Sequence, residues 1–422
     1  MKQNPSFFSL ALSIVLSASF LGGCSSKEAP LKQEGKILLV SDLHYYSDSL
    51  TDYGSKFQEI VRNADGKDPF HQKALLRALK GQIEKEKYDA VVFNGDIAFN
   101  GEEASLNDLT GYFDSVEESG TEVYVLPGNH DVGFYQGFSS FGDKTEDVKT
   151  YTPSDFRKSL GKYGYDSAPL KDEDSFSYLV PLYQGLYGLF LDANSSTENA
   201  YEESTAEFAK EALEYVKEKG GKAISFTHQP LLSHLKSERL DSRSVRSDEM
   251  LSLFKEYGVK VNFAGHLHAL NRKESGGVSE IVNPCLCLLN NQYGVISYTE
   301  GKDLSYGCFS LDITDYVSSL EGYSSFQEYS EARYKRIQKE KILEAKDSFA
   351  TETDEEELSL LGDYFAKINT DFFEGNLVKV DSEDPGFLAW EGQIDSFWRD
   401  YVGKILMDLR LETDYHHFSK SL

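Results

Sequence analysis

Five apolar or β-branched runs in this chain each stop at side chains of the types that can ligate metal ions, and this repetition limits the fold more than any other feature. The runs are Ile37-Leu38-Leu39-Val40, Ala90-Val91-Val92-Phe93, Val123-Tyr124-Val125-Leu126, Ala223-Ile224-Ser225-Phe226 and Val261-Asn262-Phe263-Ala264. In the same order they lead into Ser41-Asp42-Leu43-His44, Gly95-Asp96, Gly128-Asn129-His130-Asp131, Thr227-His228 and Gly265-His266-Leu267-His268. Five of the nine histidines fall in these stretches. Repeated strand-then-ligand units gather side chains at one edge of a sheet, which is how open α/β folds build their sites. Amphipathic segments separate the runs: Ala74, Leu75, Leu76, Leu79 and Ile83 carry helical spacing, as do Leu106, Leu109, Phe113 and Val116. Further helices are predicted at 204–217 and 246–257. This rhythm predicts an α/β sheet with helices on its faces.

Two stretches break the rhythm. Residues 132–152 have little periodicity and are rich in Gly, Ser and Phe, which predicts a structureless lid or substrate-shaping loop beside the third motif. After His268 the pattern predicts strands at 280–289, 294–299 and 305–313, forming an antiparallel sheet beside the first. From Tyr316 the character changes, with helical segments expected at 326–349, 355–368 and 394–411. Ile394, Phe397, Trp398, Tyr401, Val402, Ile405 and Leu409 make one apolar stripe. The expected boundaries are a leader at 1–23, a tether at 24–35, an α/β domain at 36–315 and an all-helical C-terminal domain at 316–422.

The formal charge of −27 argues against general nucleic-acid binding, because phosphate backbones repel an acidic surface. A phosphorylated small molecule or polymer stays open as a partner, since bound cations reverse the local field. The apolar run Phe7–Leu21 is too short for a spanning helix and fits a signal-peptide core. Leu21-Gly22-Gly23-Cys24 resembles the bacterial lipobox. That resemblance implies lipid attachment at Cys24 and a protein anchored on the outer face of the cell membrane. Cys285, Cys287 and Cys308 read as buried free thiols.

The motifs differ in specificity. Asp42 and His44, two apart, share a side of an extended chain, and Gly95-Asp96 alone is a common turn. Gly128-Asn129-His130-Asp131 sets three polar side chains after a strand, and Gly265-His266-Leu267-His268 sets two imidazoles within reach of one small volume. Four imidazoles (His44, His228, His266, His268), two carboxylates (Asp42, Asp96) and one amide (Asn129) are too many ligands for a single ion. They suggest two ions sharing one group, and Asp96, with two oxygens, is the natural bridge. Mixed N and O donors suit Mn, Fe or Zn. His234 reads as a surface-loop residue, His71 as a helix-end residue, and His416 and His417 as solvated. Tyr45, Tyr46 and Tyr293 read as packing aromatics.

The ordered motifs D-L-H, G-D, G-N-H-D, H and G-H-L-H resemble the calcineurin-like metallophosphoesterase superfamily. The resemblance implies a four-layer αββα sandwich in which Asp42, His44, Asp96 and His268 hold one ion and Asp96, Asn129, His228 and His266 the other. It also implies a metal-bridging hydroxide as nucleophile, His130 as general acid, and Asp131 as the group that orients and charge-stabilises the His130 imidazole. Gly95–Glu102 (GDIAFNGE), Ser175–Asp192 and Asn291–Gly294 (NQYG), with the lipoprotein start and helical tail, are similar to secreted Gram-positive members related to class III cyclic-nucleotide phosphodiesterases. The expected activity is phosphodiester hydrolysis, with cyclic nucleotides as the specific substrate reading. A phosphomonoesterase or nucleotidase, a cell-wall or lipid head-group phosphodiesterase, and a non-catalytic surface-binding lipoprotein stand as alternatives.

Overall fold

The computed structural model describes residues 31–235, 242–349, 353–394, 396–411 and 413–422. The leader, Cys24 and most of the tether lie outside the described residues. All five apolar runs are strands. The chain opens with β1 (Glu34–Val40), α1 (Ser55–Arg62), α2 (Gln72–Glu86), β2 (Ala90–Asn94), α3 (Glu103–Glu117) and β3 (Glu122–Leu126). The three strands pair in parallel. Crossover helices suit them because α2 buries Leu75, Leu79 and Ile83, and α3 buries Leu106, Leu109, Phe113 and Val116, each along one face.

Residues 132–152 are not structureless. They carry a hairpin of β4 (Phe138–Phe141) and β5 (Lys144–Asp147). Gly142-Asp143 is its two-residue loop, with Gly142 at φ +62°, a position that favours glycine in tight hairpin turns. Four-residue strands that lie mostly outside the core leave little alternation to read.

The chain continues through α4 (Pro153–Leu160), β6 (Leu170–Lys171), β7 (Tyr178–Tyr183), β8 (Leu186–Leu191), α5 (Glu203–Glu218) and β9 (Lys222–Thr227). Then follow α6 (Ser247–Tyr257), β10 (Val261–Ala264), β11 (Asn271–Ser275) and β12 (Val278–Val282). These strands form a second sheet in the order β11-β12-β10-β9-β8-β7-β6. β13 (Gln292–Thr299) and β14 (Leu304–Ser310) return to the first sheet, with β13 antiparallel to β1. The expected separate antiparallel sheet is therefore absent among the described residues. β12 lies in the second sheet, parallel to β10, and the strand expected at 280–289 stops at Val282, just before Pro284, which has no N–H to give a ladder.

The two sheets face each other. Phe190, Phe226 and Phe263 stack in file across the second sheet with ring centroids 4.6 and 5.5 Å apart. Tyr124 of β3 meets Phe190 at 5.7 Å, and Tyr306 of β14 meets Phe263 at 5.9 Å. Helices α2 and α3 cover the outer face of the first sheet. Ala209, Ala212 and Leu213 of α5 with Met250 and Phe254 of α6 cover that of the second. The result is a four-layer αββα sandwich.

Helices α7 (Phe326–Glu344), α8 (Glu355–Glu374), α9 (Pro385–Glu391) and α10 (Phe397–Leu409) follow. Their core includes Phe365, Phe372, Trp390, Ile405 and Leu409. This helical segment is tied to the sandwich at the Leu270 amide, which donates to Phe373 O at 2.9 Å. After α10 the chain rejoins the first sheet as β15 (His417–Lys420), antiparallel to β14. Among the described residues no helix is long and apolar enough to cross a membrane.

Candidate metal centre

The parallel strands of both sheets end at one place. From the first sheet, β1 runs into Asp42 and His44, β2 into Asp96, and β3 into Asn129 and His130; from the second, β9 runs into His228 and β10 into His266 and His268. Backbone bonds lock these turns together. Asp42 N–H donates to Gly95 O (3.0 Å), His44 N–H to Asp96 O (2.8 Å) and Gly265 N–H to His228 O (2.8 Å). The turns are strained: Asp42, His44, Asp96, His266 and His268 all have φ between +44° and +67°. Such a conformation costs a non-glycine residue about 1–2 kcal/mol, and strain of this kind collects at functional sites.

Two ligand clusters share one carboxylate. Asp42, His44, Asp96 and His268 offer donor atoms within 4.8 Å of one another, and so do Asp96, His228 and His266. Asp96 Oδ2 lies 3.2 Å from His228 Nε2 and 3.8 Å from His44 Nε2. Its other oxygen, Oδ1, accepts from the His130 amide at 2.8 Å. The glycines before the ligands make room for this. A Cβ on Gly95 would meet the His228 ring at 2.3 Å, and one on Gly128 would meet Asp96 Oδ1 at 2.2 Å.

The donor set fits cations. His228 Nδ1 donates to Asn94 O at 2.9 Å, which turns the buried Nε2 toward Asp96 Oδ2 and the ligand clusters. That is the usual outer-shell arrangement of a ligating imidazole. His44 Nε2 and His268 Nε2 face each other at 3.1 Å with Asp42 Oδ1 3.4 Å from the latter, a convergence of donors that an ion would satisfy. Burial lowers the pKa of His44 well below its ordinary value, and burial beside His228 takes His266 down to about 3. Both are therefore neutral, as ligands must be. Burial also opposes charge on His228, but Asp96 and Asp42 outweigh it and push that imidazole up to about 9. Burial raises the Asp96 carboxyl, yet the surrounding imidazoles, His228 foremost, hold it well below the usual range. Cys285 is within reach of His44 and His268, but its thiol donates to Asp42 O at 3.0 Å and burial pushes its pKa far up, so it stays a thiol behind the site.

The two remaining motif residues differ from each other. His130 stands beside the clusters, its ring 5.0 Å from His44 and stacked on Tyr135 at 4.2 Å. Its Nδ1 donates to Phe99 O (2.8 Å) and Asn100 Oδ1 (2.9 Å). Asp131 does not touch that ring. Its carboxylate accepts from the backbone N–H groups of Gly128 (2.8 Å), Ala98 (2.8 Å) and Ile97 (3.2 Å), so it clamps the second and third motif turns together. The expected orienting role belongs instead to Phe99 and Asn100, because the Asp131 side chain turns inward (0 % exposed) and is used up by three amides. Asn129 is buried, and its amide donates to Glu198 Oε1 (3.1 Å) and accepts from Gln229 Nε2 (3.2 Å).

Nothing local in the sequence marks Asn100, Glu198 or Gln229 as neighbours of the site. His234 is a second correction. It is buried, bonded to Glu280 Oε1 at 3.0 Å and Asn271 Oδ1 at 2.9 Å, where the surrounding Pro and Ser suggest a surface loop. Glu280 also accepts from the Leu231 and Leu232 amides (2.8 and 2.7 Å), so the pair fixes the loop that follows His228. His71 sits at a helix start against Asp68, as expected. Cys285, Cys287 and Cys308 are buried and free.

Residues 35–270 match the model of the calcineurin-like phosphoesterase family. No curated protein sequence matches the chain. Among solved structures, a dimetal phosphatase from Danio rerio is 15% identical with a TM-score of 0.48, over 67% of this chain and 97% of that one. A purple acid phosphatase from yellow lupin is 12% identical with a TM-score of 0.41, over 67% and 52%. A 5′-nucleotidase, so described provisionally, from Staphylococcus aureus is 14% identical with a TM-score of 0.38, over 73% and 58%.

Proposed function

Given that this chain belongs to the calcineurin-like phosphoesterase family and so is a metal-dependent hydrolase of phosphoric esters, we propose that it cleaves phosphodiesters, with His130 delivering the proton to the leaving oxygen. Two ions, held by Asp42, His44, Asp96 and His268 and by Asp96, Asn129, His228 and His266, would supply an activated water and neutralise charge on the phosphoryl oxygens.

The observation that carries the reading is the fixed His130 imidazole beside the clusters. With Nδ1 spent on Phe99 O and Asn100 Oδ1, Nε2 is the nitrogen left to hold the proton that is given up. An alkoxide leaving group needs that proton. The His44 ring stands 5.0 Å from His130 and 5.0 Å from His268, so the proposed proton donor lies directly beside the ligands. Glu198 at the edge of the site disfavours the second negative charge of a monoester. The Leu21–Cys24 stretch supports an outward-facing, lipid-anchored protein; palmitate labelling of wild type but not of Cys24→Ala checks it.

Turnover of bis(p-nitrophenyl) phosphate and p-nitrophenyl phosphate, with and without added Mn²⁺, tests the reading. Faster metal-dependent turnover of the diester supports it. Monoester turnover alone would put a phosphomonoesterase in its place.

A further inference from the structure

Lys67 lies in the link between α1 and α2, in a turn packed against the back of the first ligand motif. The Asp68 amide of that turn donates to Cys287 O at 2.9 Å. Cys285, two residues earlier in its own segment, donates to Asp42 O at 3.0 Å and has its sulfur within reach of His44 and His268. Asp65, at the start of the turn, lines the same cavity as His266 and His268. From the other side Arg333 of α7 donates to Gly66 O (2.8 Å) and Lys67 O (2.9 Å). The turn is thus held between the metal ligands and the helical segment.

Lys67 is only 7 % exposed, yet among the described residues its ammonium has no hydrogen-bond or ion-pair partner. The two carboxylates of its own turn are engaged elsewhere, Asp65 with Lys341 and Asp68 with His71 at 2.8 Å. The charge is felt at the metal site. After burial it is the main influence that lowers the His44 pKa, and it lowers that of His130 as well. Those two rings stand 5.0 Å apart, so the ammonium acts beside both the ligands and the proposed proton donor. A lysine this enclosed and without a counter-charge is costly. The ligand clusters worsen the cost, because only Asp42 and Asp96 supply negative charge against two divalent ions. An anion entering the site offsets both excesses at once, and lysine is a common point-charge partner of phosphate.

We propose that Lys67, held in the Asp65–Asp68 turn beside His44, is a further catalytic residue that binds an anionic oxygen of the phosphoryl group. Its ammonium donates to an oxygen on which negative charge grows during the displacement, so it favours the transition state over the bound ester. The proposal rests on the reading of the metal site as a phosphoester site and holds for a diester and a monoester alike.

The test is calorimetric titration of inorganic phosphate into the Mn²⁺-loaded protein, wild type against Lys67→Met, with Lys67→Gln used should the first fail to fold. The expected dissociation constant rises at least about tenfold in the variant, the scale of one hydrogen bond to a charged group, while the metal content and melting temperature stay at wild-type values. In kinetics with bis(p-nitrophenyl) phosphate, kcat should fall along with kcat/KM, and Lys67→Arg should recover part of both. A lysine that only fills space or repels cations predicts otherwise: unchanged phosphate affinity, with metal binding as tight as wild type or tighter. That result, or a wild-type protein that binds no phosphate, overturns the proposal. Absence of diester hydrolysis in wild type with Lys67-dependent phosphate binding intact would count against the phosphodiester reading and leave the Lys67 assignment standing.

Discussion

The backbone N–H of His130 donates to Asp96 Oδ1 at 2.8 Å while Asp96 Oδ2 faces His228 Nε2 at 3.2 Å. One carboxylate thus sets the position of the proposed proton donor and of both ligand clusters. Proton delivery and metal geometry are coupled through a single side chain, so changes at Asp96, Gly128 or His130 have effects that separate only when metal content and rate are measured together.

Replacing His130 with Ala should slow diesters with alkyl leaving groups by about 10²–10⁴-fold, the range for loss of a positioned general acid. Nitrophenyl leaving groups, which depart without a proton, should suffer far less. The measurement is kcat/KM across a leaving-group series. Equal losses along the series would reject the acid role and leave His130 a structural residue.

Asn100→Ala removes one of the two acceptors that hold His130 Nδ1, while the Phe99 carbonyl remains. The rate with an alkyl diester should fall by about tenfold, in the range seen when a supporting hydrogen bond is removed from a site, with metal content unchanged. Asp131→Asn should behave differently. Asp131 clamps the amides of Gly128, Ile97 and Ala98, so that variant should lose thermal stability and metal together.

Gly128→Ala would force a methyl group to within 2.2 Å of Asp96 Oδ1, where the His130 amide already bonds. No flexible side chain is available to yield, so the third motif turn must move. The expected result is a chain with wild-type circular dichroism but reduced metal per chain by mass spectrometry. Full metal occupancy in this variant would show that the turn can shift without disturbing the shared carboxylate.

Glu102 gives a pH signature away from the ligands. It is fully buried, and burial pushes its carboxyl up to about 7 from an ordinary 4.5, although the Asn100 amide partly opposes this. The folded state therefore binds a proton more tightly than the unfolded state. The associated stability is present below about pH 4.5 and lost as pH rises through 7, a difference of about 3 kcal/mol. Glu102→Gln should melt higher than wild type at pH 8 and show little gain at pH 5. A gain of the same size at both pH values would contradict the assignment.

Much of the sandwich is legible because each strand is an apolar run ending on ligand-type residues, as β1 ends before Asp42 and β10 before His266. Helix spacing is equally plain where one face is buried, as in α2 and α3. What the chain conceals depends on partners far apart in sequence. His234 looks exposed until Glu280 and Asn271 are brought to it, and Asn100 looks like turn filler until His130 turns its ring toward it. Asp131 follows His130 in the chain but points the other way, into three backbone amides. The β13–β14 pair reads as a sheet of its own because nothing local says that β13 lies against β1. The hairpin differs from these, since Gly142-Asp143 is a local turn signal and only its short, exposed strands hide it.

The central claim is that Asp96 serves both clusters. Metal content of purified Asp96→Asn after saturation with Mn²⁺, set beside wild type, tests it most directly. Two ions per wild-type chain are predicted, with loss from both sites in the variant and loss of bis(p-nitrophenyl) phosphate turnover. A variant that still carries two ions would contradict the claim.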